Sequence, residues 1–311
     1  MEDPRAQRFM RHMRRGDFEA AWRISDELLR ERAGLRCDHW PRHFQWVWTG
    51  VPLEGKRVLI RCYHGLGDTI QFIRYASLLR AKTAEVTVWV QPTLIQLLET
   101  VRGIDRILPL HDGIPEWEGD ADVEVMELPY IFRTTVETIP APVPYIHVDR
   151  VPACGDRFAV GIAWRGGDWE PRRDVPFSLI TQLAQVPGAT LYALQKDAHP
   201  DERHERLERV IDSGSDMLTT ARIMRRLNLV ISVDSMPAHL AGALGVPTWT
   251  LLSADADWRW MVDRDDSPWY PTMRLFRQND AGRWEPVITR VAAELARLAA
   301  SAAKLRDQPQ T

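Results

Sequence analysis

KRVLIRCYHGLGDTIQFIRYASLLRAKTAEVTVWV, residues 56–90, carries the pattern on which the fold turns. KRVLIRC (56–62) is a short apolar run of strand character, DTIQFIRYASLLRAK (68–82) repeats its apolar positions at helical spacing, and AEVTVWV (84–90) is a second strand run. Two strands joined by a helix of this length pair in parallel through a right-handed crossover. Downstream, TLIQLLETV (93–101) continues as helix, and DRILPL (105–110) and ADVEVMEL (121–128) as strands. A period-free stretch with four prolines, PAPVPYIHVDRVPACGD (140–156), reads as a connector. The alternation then restarts with the strand RFAVGIAWRGG (157–167), a helix near FSLITQLAQV, the strand ATLYALQK, the helix MLTTARIMRRLN, the strand LVISVD, the helix MPAHLAGALG and the strand VPTWTLLS. The expectation is an α/β chain of two Rossmann-like, doubly wound halves.

Working outward, residues 5–33 read as a helical hairpin broken at Gly16-Asp17, either a remnant of a helical repeat or a cap on the following domain. Residues 284–305 read as one Ala/Leu-rich amphipathic helix. The predicted organisation is a helical segment (1–50), a first Rossmann-like domain (51–148), a second (149–283), and a C-terminal helix (284–311) crossing back onto the first.

The 311 residues are 45% hydrophobic and 27% charged, the balance of a globular protein, and the net charge of -3 carries no basic block of the kind that nucleic acid requires. Cys37, Cys62 and Cys154 lack paired spacing, which predicts neither a disulfide framework nor a zinc site. The opening residues MEDPRAQRFMRHMRRGD have no apolar signal core and no stretch reaches membrane-spanning length, so the sequence predicts a cytoplasmic protein.

Ligands of such sheets bind beyond the C-terminal strand ends. After the first strand comes Tyr63-His64-Gly65-Leu66-Gly67-Asp68-Thr69, with Gln71 beyond it. The glycines allow close backbone approach, and Asp68 reads equally as a helix N-cap and as a base that takes a proton from a hydroxyl. After the strand at 157 come Trp164, Arg165 and a glycine pair, then Arg172 and Arg173, cations suited to a pyrophosphate; Gln195 and Lys196 end the next strand. Asp234, Ser235, Met236, Ala238 and His239 mark a strand running into a helix N-terminus, where Asp234 suits capping or a sugar hydroxyl and His239 suits either a buried structural role or catalysis. The segment 257–278 is dense in Trp and Arg, suited to stacking on a base or sugar and equally to packing a domain edge. Asp255-Ala256-Asp257 has the spacing of a metal-binding acidic pair, and a plain loop is the favoured reading.

With these residues laid out, the chain from Trp46 onward resembles the heptosyltransferase-like glycosyltransferases of family nine, in the bacterial branch joined to tetratricopeptide repeats. The resemblance rests on WTGVPLEGKRVLIRCYHGLGDTIQFIRY, VGIAWRGG, LYALQK, LVISVDSMPAHLAGALGVPTWTLL and DWRW…DSPWYPTMRLFRQ, in that order. It implies a GT-B architecture with the reaction in an interdomain cleft, no metal or other cofactor, and a nucleotide-diphosphate sugar as co-substrate. Asp68 matches the proposed general base, with His64, Gly65, Gly67, Thr69 and Gln71 around the acceptor. Trp164, Arg165, Arg173, Gln195, Lys196, Asp234, Ser235, Met236, Ala238 and His239 fall on the donor side. The implied activity is inverting transfer to a glycan, protein or small-molecule hydroxyl. The chain departs from the family pattern at Arg165-Gly166-Gly167 and Ser235-Met236-Pro237, and two rival readings stay open: a silent nucleotide-sugar-binding scaffold, and an epimerase or hydrolase of the same donors.

Overall fold

The computed structural model describes residues 3–149, 157–167, 170–196, 198–210 and 216–306. They divide into two compact units, Met1–His147 with Asp257–Asp263, and Val148–Ala256 with Arg264–Thr311. Among the described residues, no helix is long and apolar enough to cross a membrane.

The first unit opens with α1 (Pro4–Arg14) and α2 (Phe18–Glu31), separated at Gly16, whose φ of +74° ends the first helix. Asp3 and Asp17 cap the two starts, accepting from the N–H groups of Arg5 and Ala20. The α2 face buries Phe18, Ala21, Trp22 and Ile24, and the Trp22 indole donates to the Thr134 carbonyl at 2.7 Å. The hairpin is therefore built into the first unit's core. Farther along, the Glu127 carboxylate accepts from the N–H groups of Val47 and Trp48 and ties down the chain entering the sheet.

That sheet is four-stranded and parallel. It consists of β1 (Arg57–Arg61), β2 (Glu85–Val90), β3 (Arg106–Pro109) and β4 (Ala121–Glu124), in the order β3-β2-β1-β4. Arg61 is in register with Trp89 on one side and Glu124 on the other, so these three residues share one edge. Val58, Leu59, Ile60, Val86, Val88 and Val90 are fully buried, which explains strands without polar alternation. The helix expected over 68–82 is divided into α3 (Leu66–Phe72), a 3₁₀ turn (Ile73–Tyr75) and α4 (Ala76–Arg80). Phe72, Ile73, Tyr75 and Ala76 are all fully buried, more than one stripe of a regular helix can hide. Where α4 starts, Gly103 (φ +87°) crosses so close that a Cβ would lie 2.5 Å from the Ser77 Cα. The short α5 (Ile95–Leu98) and α6 (Leu128–Ile131) complete the unit.

In the second unit β5 (Phe158–Ala163), β6 (Ala189–Ala193), β7 (Leu207–Arg209), β8 (Leu229–Val233), β9 (Thr248–Leu252) and β10 (Met273–Arg277) form a parallel sheet in the order β10-β9-β8-β5-β6-β7. Its helices are α7 (Phe177–Leu183), α8 (Met217–Met224), α9 (Met236–Ala243) and α10 (Glu285–Arg306). The last helix, α10, contributes to the core of this unit. Trp284, Val287, Ile288, Val291, Leu295 and Ala299 enter the same core as Val160, Ile162, Ile180 and Leu183. Those spacings of three and four make a single stripe, and each fully buried aliphatic side chain contributes roughly 1.5–3 kcal/mol. The part of the late chain that belongs to the first unit is the short segment Asp257–Asp263.

Candidate functional site

In the first unit the chain leaves β1 through Cys62-Tyr63-His64 and enters α3 with Gly65 as its N-cap. Asp68 is thus not the N-cap but the third helical residue. Its Oδ2 reaches back to accept from the Gly65 N–H at 2.9 Å, and a Cβ at position 65 would lie 3.1 Å from that oxygen. The other oxygen, Oδ1, meets the Arg259 guanidinium at 2.8 Å. A carboxylate held at both oxygens keeps one orientation, yet each oxygen retains a further lone pair.

The loop is fastened from below. Gln91, directly after β2, donates to the His64 carbonyl at 2.7 Å and accepts from the Thr69 hydroxyl at 3.2 Å. Glu124, the last residue of β4 and buried, accepts from the Tyr63 N–H at 3.2 Å and the Met126 N–H at 2.6 Å. Its Oε2 lies 3.8 Å from His64 Nε2. Burial pushes the Glu124 carboxyl up to about 8, against the two backbone N–H groups that favour the anion, with Glu127 and Asp68 adding repulsion. Burial likewise lowers the His64 imidazole, opposed by the Asp68 carboxylate and assisted by His43 and Arg259. At neutral pH the pair is an uncharged imidazole above a mostly protonated acid. Gln71 lies on the buried side of α3, and among the described residues its amide oxygen and nitrogen have no hydrogen-bond partner.

Outside the loop, the same strand ends carry a cationic and aromatic group. Arg61 pairs with Asp122 and donates to the Tyr63 hydroxyl, while the Arg42 guanidinium lies 4.9 Å from the Trp89 ring and 5.4 Å from the Tyr63 ring.

In the second unit the predicted residues collect at the ends of β5, β6 and β8. Gln195 Oε1 accepts from the N–H groups of both Trp164 (3.1 Å) and Arg165 (2.9 Å), so this glutamine fixes the β5 exit. Trp164 is buried and its indole donates to Glu202, which also pairs with the Arg165 guanidinium at 3.1 Å. Arg173 donates to the Asp234 carbonyl at 2.6 Å and lies 3.4 Å from the Asp234 carboxylate. His239 Nε2 is 3.9 Å from the other carboxylate oxygen, and His239 Nδ1 is 3.0 Å from the Tyr270 hydroxyl. Gly242 makes that last contact possible, since a Cβ there would meet the Tyr270 ring at 2.5 Å. Lys196 is exposed and Arg172 pairs at the surface with Glu170.

The helix terminus is a poorer anion site than the sequence suggested. Ser235 is the N-cap of α9 but its hydroxyl turns back to the Val233 carbonyl. Pro237 has no N–H, and the Ala238 N–H is spent on the Ser235 carbonyl at 3.0 Å, leaving Met236 as the first-turn donor. His239 and Ala238 are buried, whereas Met236 is partly exposed. The acidic pair at 255 and 257 is divided between the units, and Asp257 caps a 3₁₀ turn, Trp258–Trp260, by accepting from the Arg259 N–H. Among the described residues no group of three or more His, Cys, Asp or Glu side chains is placed to hold a metal ion.

Gln91, Glu124, Glu202, Arg259 and Tyr270 were not singled out from the sequence. For the first two a signal existed, because both sit where a strand ends. The sequence reading ran the last strand on to 128 and so hid Glu124 in its middle.

No family model matches the chain. Protein FlbA of Caulobacter vibrioides is 25% identical over 291 residues, covering 82% of this chain and 48% of FlbA, so the chain spans about half the length of that relative. A family 9 glycosyl transferase structure from Veillonella parvula is similar with a TM-score of 0.55 and 14% identity, over 80% of this chain and 99% of that one. The E. coli ADP-heptose LPS heptosyltransferase II structure is similar with a TM-score of 0.57 and 13% identity, over 79% of this chain and 99% of that one. The chain has the GT-B-like α/β fold of these glycosyltransferase structures.

Proposed function

We propose that this chain transfers a sugar from a nucleotide-diphosphate donor, an ADP-sugar in the first instance, to an acceptor hydroxyl, with inversion and without a metal ion. The observation that carries the reading is the Asp68 carboxylate, oriented by the Gly65 N–H and Arg259 on a loop after a parallel strand, in a fold it shares with heptosyltransferases. Asp68 takes the acceptor's proton as the oxygen attacks the anomeric carbon, and the bond to the diphosphate oxygen breaks on the opposite face. Negative charge then accumulates on the leaving diphosphate, and guanidinium, ammonium and backbone N–H groups are the donors that stabilise it. Preorganised donors of this kind supply about 3–4 kcal/mol each.

One observation favours a second reading. Arg165 and Arg173 already pair with Glu202 and Asp234, which would suit a protein that binds a nucleotide sugar without transferring it. Calorimetry against ADP-, UDP-, GDP- and dTDP-sugars with EDTA present separates the possibilities. Binding of one nucleotide class, weakened at least tenfold by Arg173→Ala and, once an alcohol acceptor such as glycerol is added, accompanied by release of the nucleotide diphosphate, is the expected result. Binding without any release supports the silent reader, and no binding to any of the four ends the nucleotide-sugar reading altogether.

A further inference from the structure

The turn Asp257–Asp263 belongs to the first unit although it stands more than a hundred residues beyond the rest of it in sequence. It is anchored by aromatic packing: the Trp258 ring stacks on Phe72 (centroids 6.2 Å apart, 15° between planes) and meets Phe18 edge-on at 6.1 Å. The Val262 N–H donates to the Arg14 carbonyl at 3.0 Å, closing the turn on the end of α1. Its exit is strained. Met261 holds φ 50° with ψ -173°, a region that glycine normally occupies, and Asp263 holds φ 56°. Strain of this kind persists where the surroundings over-determine the conformation, as the contacts with Phe18, Phe72 and Arg14 do here. The Arg259 side chain is 9% exposed, lies 5.6 Å from the Trp258 ring and 5.7 Å from the Phe72 ring, and contacts Asp257 at 3.4 Å. Its guanidinium ends on Asp68 Oδ1 at 2.8 Å.

We infer that Arg259 is a positioning residue for the base, acting through Asp68 and not on the sugar donor. The inference rests on the transferase reading above. With Oδ2 fixed by Gly65 and Oδ1 by Arg259, the carboxylate plane cannot rotate, and its remaining lone pairs keep one direction toward an incoming hydroxyl. Loss of Arg259 frees that rotation.

The test measures ADP release from ADP-heptose with glycerol as surrogate acceptor, so that transfer to water and to alcohol both count, for the full chain and four variants. Arg259→Met is expected to lower kcat about 100-fold with donor KM within about twofold, and Arg259→Lys to recover about tenfold of that loss. In an Asp68→Asn background, Arg259→Met should change the residual rate by less than about twofold, because the group through which it acts is gone. A merely structural arginine would give losses that multiply, and that outcome overturns the assignment, as does an unchanged kcat in Arg259→Met. Circular dichroism and melting curves on each variant keep unfolding apart from loss of function. A wild-type chain that binds ADP-heptose but never releases ADP overturns the transferase reading and the assignment together, which distinguishes that failure from an active wild type indifferent to Arg259.

Discussion

Two aspartates follow parallel strands in this chain, and each meets an arginine from elsewhere in its own unit. Asp68 keeps 21% of its side chain exposed and leaves Arg259 to approach one oxygen. Asp234 is 3% exposed, wedged between Arg173 and His239. The same residue type on two strand-to-helix connections therefore does different physical work. An aspartate still in touch with solvent can exchange a proton with a substrate, whereas one sealed between a guanidinium and an imidazole holds other groups in place.

The largest expected effect separates the two. Asp68→Asn should cut turnover about 10²–10⁴-fold with donor affinity unchanged, measured by initial rates and calorimetry. If Asp68 serves only as the reach-back cap of α3, turnover survives and a small drop in melting temperature is all that is seen. Asp234→Ala should behave in the opposite way. Removing the carboxylate from a buried pair takes away the counter-charge of Arg173, at a cost of roughly 3–5 kcal/mol in unfolding free energy by chemical denaturation. An unmoved midpoint would erase the contrast between the two sites.

Gly242→Ala tests how firmly the second site is built. The new methyl meets the Tyr270 ring, so about 1–3 kcal/mol of stability and the Tyr270 to His239 hydrogen bond should be lost together, the latter visible as a changed histidine NMR signal. The signal staying where it is would mean that the ring yields without disturbing the histidine.

A pH-dependent effect arises in the first unit, where Glu124 braces the loop after β1. Glu124 titrates near 8 when folded against an ordinary value of 4.5, so its neutral form is the one favoured by folding. That contribution is complete below pH 4.5 and is lost as pH rises through 8, with a slope of at most about 1.4 kcal/mol per pH unit. Glu124→Gln should be less stable overall, since one backbone N–H loses its acceptor, yet it should close the gap on wild type between pH 5 and pH 8. Parallel melting curves at four pH values would show this. A gap that stays constant would place the Glu124 titration below that window.

How much of this was legible follows from the range of each signal. The β1–α3–β2 unit could be read from periodicity because burial on both faces leaves an uninterrupted apolar run, and the helical hairpin could be read from Gly16-Asp17. The edge strands β7 and β10 could not. Leu207–Arg209 has one buried residue of three, and Met273–Arg277 is set among Trp and Arg residues that obscure its run. Asp68, Arg165, Asp234 and His239 could be singled out because each stands just after a strand or at the start of a helix, positions that sequence marks locally. Their partners Arg259, Glu202 and Tyr270 stand in loops where nothing local distinguishes them from neighbouring charged or aromatic residues.

By itself the sequence determined the two series of strands and helices, the strand ends where polar residues gather, and the aspartates that stand there, since hydrophobic period and turn chemistry act over a few residues. Only the tertiary structure decided that the last helix joins the second core, that Gln195 and Gln91 brace loops, that Pro237 thins the helix terminus, and that residues 257–263 bring Arg259 to Asp68. Those outcomes depend on contacts between segments as far as 191 residues apart, as in the Arg259–Asp68 pair, where packing and charge set the partner and chain proximity has no say.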